Sequence, residues 1–262
     1  MKWVGALTMA DDIERVILLT GAASGIGAAT ARSLAGPGTA LLLHTRGNAE
    51  GLDRVAAEVR QTGAIAGTAL TDLAQADAAK KLVEMACDRF GRLDQIVSNA
   101  GFADKRRFGD VDATALRNSL ATITEAFFGL VTAALPHLEA SDWGRVVAIS
   151  SFVGHSFGIN DTIFPVSAAA KSGLESLAKA LAYQLAPSGV TVNCVSPGFT
   201  QKDRGAHAAV SGAGWQMAAD AAPMKTLVQP SDVAAAVDFF LCREAERITG
   251  QVLHVDAGLS LV

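Results

Sequence analysis

A doubly wound α/β fold, a single domain built on one parallel sheet of seven strands, is what this sequence predicts. Three observations predict it. The chain has 262 residues and is 50% hydrophobic, enough for one α/β domain with its own core and no disulfide staples. Short β-branched or leucine-rich runs alternate with alanine-rich helical stretches from end to end, the order that βαβ crossovers require. A glycine-rich turn stands between the first of those runs and the first helical stretch.

The strand candidates, in order, are RVILLT (15–20), TALLLH (39–44), AIAGTAL (64–70), DQIVSN (94–99), RVVAIS (145–150), VTVNCV (190–195) and QVLHV (251–255). They are continuously apolar instead of alternating, as strands buried on both faces of a parallel sheet must be. The stretches between them read as helices of roughly 10–20 residues, long enough to cross back over the sheet. Residues 1–13 read as a leader before the first strand, and 14–262 as one domain. Within it, 199–229 is rich in Ala and Gly and carries Trp215 and Met217. It reads as a lid over the carboxyl edge of the sheet, where such folds bind ligands.

Composition excludes several function classes. A net charge of −4 and the lack of a basic run give no footprint for nucleic acid. Cys87, Cys194 and Cys242 show neither C-x-x-C nor metal-ligand spacing, so no metal is expected and a reduced, cytoplasmic setting is. No continuous apolar stretch approaches the roughly 18 residues of a membrane span.

TGAASGIG (20–27) carries the first chemistry. Gly21, Gly25 and Gly27 allow a tight turn and a close approach of backbone to a pyrophosphate. The N-terminus of the following helix offers free N–H groups and a positive dipole end to that anion. This turn, T-G-x-x-x-G-x-G, together with NAG (99–101), Asp72, PG (197–198) and GQVLHVDAG (250–258), resembles the short-chain dehydrogenase/reductase family, in the family's order and from about Glu14 onward.

The resemblance implies a Rossmann-type fold and a nicotinamide dinucleotide. Thr20, Gly21, Ser24, Gly25, Ile26 and Gly27 would form its phosphate turn, and Asp72 and Leu73 its adenine pocket. Asn99, Ala100 and Gly101 would follow the fourth strand, with Asn99 bracing it. Pro197, Gly198 and Thr200 would stand near the nicotinamide. Turn formation is the alternative reading of Asp72 and Asn99. Thr200 stands in for the family's usual threonine, whose place Lys202 takes. The second strand ends His44-Thr45-Arg46-Gly47-Asn48, without the acid that would bind a ribose 2′-hydroxyl. Arg46 suits a 2′-phosphate, so NADP is expected over NAD. The family also implies a homotetramer or dimer, with the AYQLAP end of the long helix and the C-terminal HVDAGLSLV as interface elements.

At the catalytic end the pattern departs. The family uses a Ser, a Tyr, a Lys and usually an Asn, because a hydroxyl must stabilise the developing oxyanion and an acid must protonate it. Ser151 matches the serine and Lys171 the lysine, which also holds the cofactor. Four residues before Lys171 stands Ser167; thirteen after Ser151 stands Phe164. Phe164 to Lys171 is the Y-x₆-K spacing of enoyl-carrier-protein reductases, without the tyrosine. Tyr183, the chain's one tyrosine, lies roughly 18 Å beyond Lys171 along the helix. Ile123 takes the place of the asparagine, with Asn118 five positions away on another helix face. The proton donors left are Lys171 itself, Ser167 as a hydrogen-bonding group, and His155, whose alternative reading is an exposed loop histidine.

Two functions are therefore expected. One is an NADP-dependent oxidoreductase acting on a carbonyl, alcohol or enoyl compound with a reworked acid. The other is a catalytically silent relative that serves as a nucleotide sensor or an oligomer subunit.

Overall fold

The computed structural model describes residues 13–159, 162–201 and 212–261. The expected leader therefore lies, except for Ile13, outside the described residues, as do Lys202 and the centre of the expected lid. Seven strands form one sheet: β1 (Arg15–Thr20), β2 (Thr39–Thr45), β3 (Ile65–Leu70), β4 (Gln95–Ser98), β5 (Arg145–Ile149), β6 (Thr191–Pro197) and β7 (Val252–Val255). Their order is β3-β2-β1-β4-β5-β6-β7, with every pairing parallel. The chain moves outward in one direction from β1 and then in the other from β4, so the sheet is doubly wound with its switch point between β1 and β4. The strands start or stop within two residues of the expected bounds, the largest change being β6, which runs on through Pro197. Pro197 supplies no N–H but its carbonyl edge still sits beside Val255.

The apolar runs become strands because both faces are covered. α1 (Gly25–Leu34), α2 (Ala49–Gln61) and α8 (Pro230–Leu241) bury one face around Ile17, Leu19, Leu41, Leu43, Val147 and Val195. α3 (Ala78–Phe90), α5 (Ala126–Ala140) and α6 (Pro165–Leu185) bury the other around Leu18, Leu42, Ile96, Val146 and Val192. α6 begins on Pro165, whose fixed φ suits a first helical turn. α8 begins with Pro230 and a reciprocal capping box between Gln229 and Asp232.

One helix departs from sequence expectation. α4 (Ala113–Ser119) runs into α5 through a π-helical stretch, Leu120–Glu125, with i→i+5 hydrogen bonds. The α-helical count that separates Asn118 from position 123 therefore does not hold across this segment. Asn118 is nevertheless exposed, whereas Ile123 is 1% exposed against the sheet. The whole run Ala113–Ala140 is long and apolar enough, by length and composition, to cross a membrane, at a mean hydropathy of 1.4. That is a correction to the sequence reading, and its apolar face is spent on α3, α6 and the core.

Candidate active site

A cleft of about 730 Å³ opens at the carboxyl ends of β1, β4, β5 and β6, across the switch point. One end is backbone. Gly21 sits at φ +70°, and a Cβ there would lie 2.7 Å from Asn99 Nδ2. Asn99 donates through Nδ2 to the carbonyls of Thr20 and Gly21, both at 3.0 Å, so the residue after β4 holds the glycine turn in place. Gly27 allows the closest approach: a Cβ there would stand 2.1 Å from the Gly21 carbonyl oxygen. Thr20 does not line the cleft. It is fully buried, and its Oγ1 accepts from the amides of Asn99 and Ala100.

Gly25, at φ +54°, has nothing within 4 Å of a built Cβ, and the first turn of α1 carries no acidic residue. An anion can approach that positive helix end closely. Ser24, Ile26, Ala100 and Gly101 complete this wall. Arg46 is exposed at the rim beyond β2, next to Asn48, whose side chain accepts from Gly51 N and caps α2. Asp72 accepts from the Ala74 amide at 3.1 Å, so it forms a turn and also faces the cleft beside buried Leu73. Across from them Pro197, Gly198 and Thr200 close the far wall; Thr200 donates to the Gly198 carbonyl at 3.1 Å. A dinucleotide fits this donor set, which consists of open glycine, an acid-free helix N-terminus and a rim arginine.

The other end is side chain. Ser151 follows β5 as the N-cap of a short 3₁₀ turn, Phe152–Gly154, its Oγ accepting weakly from Val153 N at 3.5 Å. Lys171 reaches in from α6, and its Nζ donates to the Ile149 carbonyl at 2.6 Å. Ser167, one turn earlier on α6, lines the cleft but is already engaged, accepting from the Asp104 amide at 2.9 Å. Phe164 packs edge-on to Phe152 and lines the same floor. Tyr183 is 89% exposed and far from it. A Cβ built on Gly101 would lie 3.5 Å from both Ile123 Cγ1 and Lys171 Nζ, so the backbone after β4 passes close to the ammonium. Burial lowers the Lys171 pKa to about 8, against the opposing pull of Cys194 and Glu175. The structure does not bring His155 among the cleft-lining residues; it turns instead to Glu175 and His254.

Sequence reasoning missed the aromatic wall of Phe102, Phe152 and Phe199, for which no spacing signal exists. It took Trp215 for lid packing, and Trp215, on α7 (Gly212–Ala221), does line the cleft. Among the described residues, no group of three or more His, Cys, Asp or Glu is arranged to hold a metal.

A nucleotide-binding doubly wound fold with Ser151 and Lys171 at its switch-point floor defines a class of oxidoreductase, and comparison gives the family. Residues 21–260 match the family model described as enoyl-(acyl carrier protein) reductase. A cis-4-hydroxycyclohexanecarboxylate dehydrogenase of Sinomonas cyclohexanicum is 35% identical over 95% of this chain and 98% of its own. An L-rhamnose 1-dehydrogenase (NAD(P)(+)) of Azotobacter vinelandii is 30% identical over 94% and 97%. Among solved structures, a short-chain dehydrogenase of Burkholderia cenocepacia in complex with NADP superposes with a TM-score of 0.85 at 29% identity, covering 94% of this chain and 98% of that one. Carveol dehydrogenase of Mycobacterium avium in complex with NAD gives 0.86 at 25%, covering 95% and 99%. The chain belongs to the short-chain dehydrogenase/reductase family.

Proposed function

We propose that this protein is an NADP-preferring oxidoreductase that interconverts a carbonyl and an alcohol, or reduces a conjugated enoyl compound, with Lys171 as the proton donor. The observation that carries this reading is the buried Lys171 Nζ on the floor of a cleft whose opposite end is an intact glycine turn. When bound, the nicotinamide supplies or accepts the hydride. Ser151 hydrogen-bonds the substrate oxygen on which charge develops. Lys171, with a pKa near 8, holds a proton at neutral pH and releases it readily to that oxygen. Arg46 at the rim supports the choice of NADP through a charge-assisted contact. The enoyl option is supported by the description of the matching family model and by the spacing from Phe164 to Lys171.

Self-association as a homotetramer or dimer, in the cytoplasm, completes the proposal. Tyr183 at 89% and Leu261 at 84% exposure, at the two expected interface elements, support it. One observation favours the silent alternative: positions 164 and 167 offer a benzene ring and an engaged hydroxyl where a phenol is usual. Titration of the protein with NADPH and NADH, by calorimetry and by the fluorescence of Trp215 in the cleft, tests the reading. Micromolar binding with NADPH preferred, followed by turnover in a carbonyl and enoyl screen, is expected. Binding without any turnover would favour the sensor reading, and no binding would end both of these and leave the oligomer-subunit reading.

A further inference from the structure

Behind the floor of the cleft lies a line of polar groups that the proposed reaction has not yet used. Glu175 is 5% exposed and sits one helical turn after Lys171 on the same face of α6. The two side chains meet consecutive residues at the end of β5: Lys171 Nζ bonds the Ile149 carbonyl, and Glu175 Oε1 accepts from Ser150 Oγ. The same Oε1 lies 3.0 Å from His155 Nε2. The His155 side chain is 31% exposed, and its ring stands edge-on to His254 at 4.5 Å between centroids. His254 Nδ1 lies 3.1 Å from Ser260 Oγ, which in turn donates to Asp256. A buried carboxylate is thus bonded on one side to the strand that bears Ser151 and on the other to a half-exposed imidazole.

We infer that Glu175 and His155 form a proton relay that reloads Lys171 from solvent. The inference rests on the oxidoreductase reading. Lys171 needs such a supply because it is only 8% exposed. When the ammonium gives its proton to the substrate oxygen, a neutral amine remains. Glu175, one helical turn from Lys171, passes a proton to that amine and takes one from the His155 ring it is bonded to. The imidazole then recovers its proton from bulk water, so charge and protons balance and nothing is oxidised. Glu175 and His155 are positioning residues in this scheme, since neither touches substrate. The charged and titratable neighbours of the line are Lys171 and Cys194 beside Glu175, with Lys179 acting on Cys194, and His254 with Asp256 beside His155.

The test has one arm independent of turnover. The His155 ring nitrogen resonances are followed by NMR at fixed pH in the wild type and Glu175→Gln. An Nε2 resonance that carries the signature of a hydrogen bond in the wild type and loses it in the variant is expected. Ring resonances that do not differ between the two overturn the relay, whatever the enzyme does. In the kinetic arm, His155→Gln and Glu175→Gln are expected to lower kcat about tenfold with KM for both ligands unchanged. That is less than the roughly 10²–10⁴-fold cost of removing the direct donor. Imidazole in the buffer is expected to restore His155→Ala. Unchanged kcat, or a loss that imidazole does not relieve, also overturns it. Absence of cofactor binding by calorimetry, measured first on the wild type, is the separate signature that the oxidoreductase reading itself has failed and the relay with it.

Discussion

The two ends of the cleft are made of different material. At the glycine turn the functional groups are amides, carbonyls and a helix end, fixed by φ angles and by Asn99 reaching across to Thr20 and Gly21. At the floor they are side chains: Ser151, Ser167, Lys171 and the aromatic Phe164. A backbone site tolerates little substitution, because a Cβ at Gly21 or Gly27 would meet neighbouring atoms and Gly21 and Gly25 hold a left-handed φ. A side-chain site can exchange a phenol for a benzene ring and remain folded, since the volume is nearly conserved. On the proposed reading, this is how a chain keeps its glycine turn while the side chains at the floor differ.

The contrast breaks first at Gly27. Alanine there would put a methyl 2.1 Å from a carbonyl oxygen that cannot move without unseating Asn99. A loss of about 3 kcal/mol is expected, or roughly 6–12 °C in Tm for a domain of this size, with cofactor binding abolished. Gly25→Ala separates the two effects. Its Cβ meets nothing, so only the left-handed φ of +54° costs stability, about 1–2 kcal/mol, yet the methyl enters the anion's approach. A thermal melt and a cofactor titration on both variants check this. Equal stability loss in the two would mean that backbone contact does not set the rigidity of this end.

Lys171→Met is the corresponding cut at the floor. Turnover is expected to fall by about 10²–10⁴-fold while the fold holds. Stability gives a second readout. The folded pKa of about 8 lies below the ordinary lysine value of 10.5, so between these pH values the unfolded chain binds the extra proton and stability rises with pH. Below pH 8 both states are protonated and the full penalty of burying the ammonium is present, so the methionine variant is the more stable one. Above about pH 10.5 that advantage is gone. Cys194 acts in the opposite sense: burial raises its pKa to about 12, so stability falls as the unfolded thiol ionises above its ordinary 9. The difference between wild type and variant in urea unfolding, read below pH 9 where the thiol is protonated in both states, isolates the lysine. A difference that stays flat from pH 8 to 9 would show that the ammonium is not buried as described.

A smaller effect tests the rim. Arg46→Ala is expected to weaken NADPH by about 1.5–3 kcal/mol, roughly ten- to a hundredfold, and to leave NADH within a factor of about two. Parallel loss of both cofactors would assign Arg46 to shaping the turn after β2 and not to reading a phosphate.

The same division decides what could be read from sequence. The strand runs, the crossover order and the glycine turn were all legible because they follow from local rules: burial on both faces, fixed helix and strand periods, left-handed φ at glycine. Fifteen of the residues singled out for the cofactor do line the cleft, and Thr20 fails only because its hydroxyl is turned inward to two amides. The floor was less legible. His155 lies close to Ser151 in sequence, but the 3₁₀ turn Phe152–Gly154 carries it away from the cleft to Glu175. The π-helical turn that brings Ile123 up to Gly101 leaves no mark in composition. Glu175 did leave one, standing at i+4 from Lys171, where two helical side chains share a face.

The finest cut falls on Ser167, where the two kinds of site meet. Its hydroxyl lies at the position four before the lysine, yet the residue is 2% exposed and its Oγ holds the Asp104 amide. Asp104 is in turn gripped by Arg106, with Nε at 3.0 Å from Oδ1, and the loop between them and β4 carries Phe102 and Lys105 into the cleft. Ser167→Ala removes an acceptor from a backbone N–H, which costs about 1 kcal/mol and loosens that loop. If the serine positions the loop, KM for substrate rises several-fold and kcat is nearly constant. If it passes a proton or stabilises the oxyanion, kcat falls and KM does not move. The engaged hydrogen bond favours the first outcome. A drop in kcat alone would mean that Oγ leaves Asp104 when substrate binds, and that this end of the cleft is less fixed than the glycine turn opposite it.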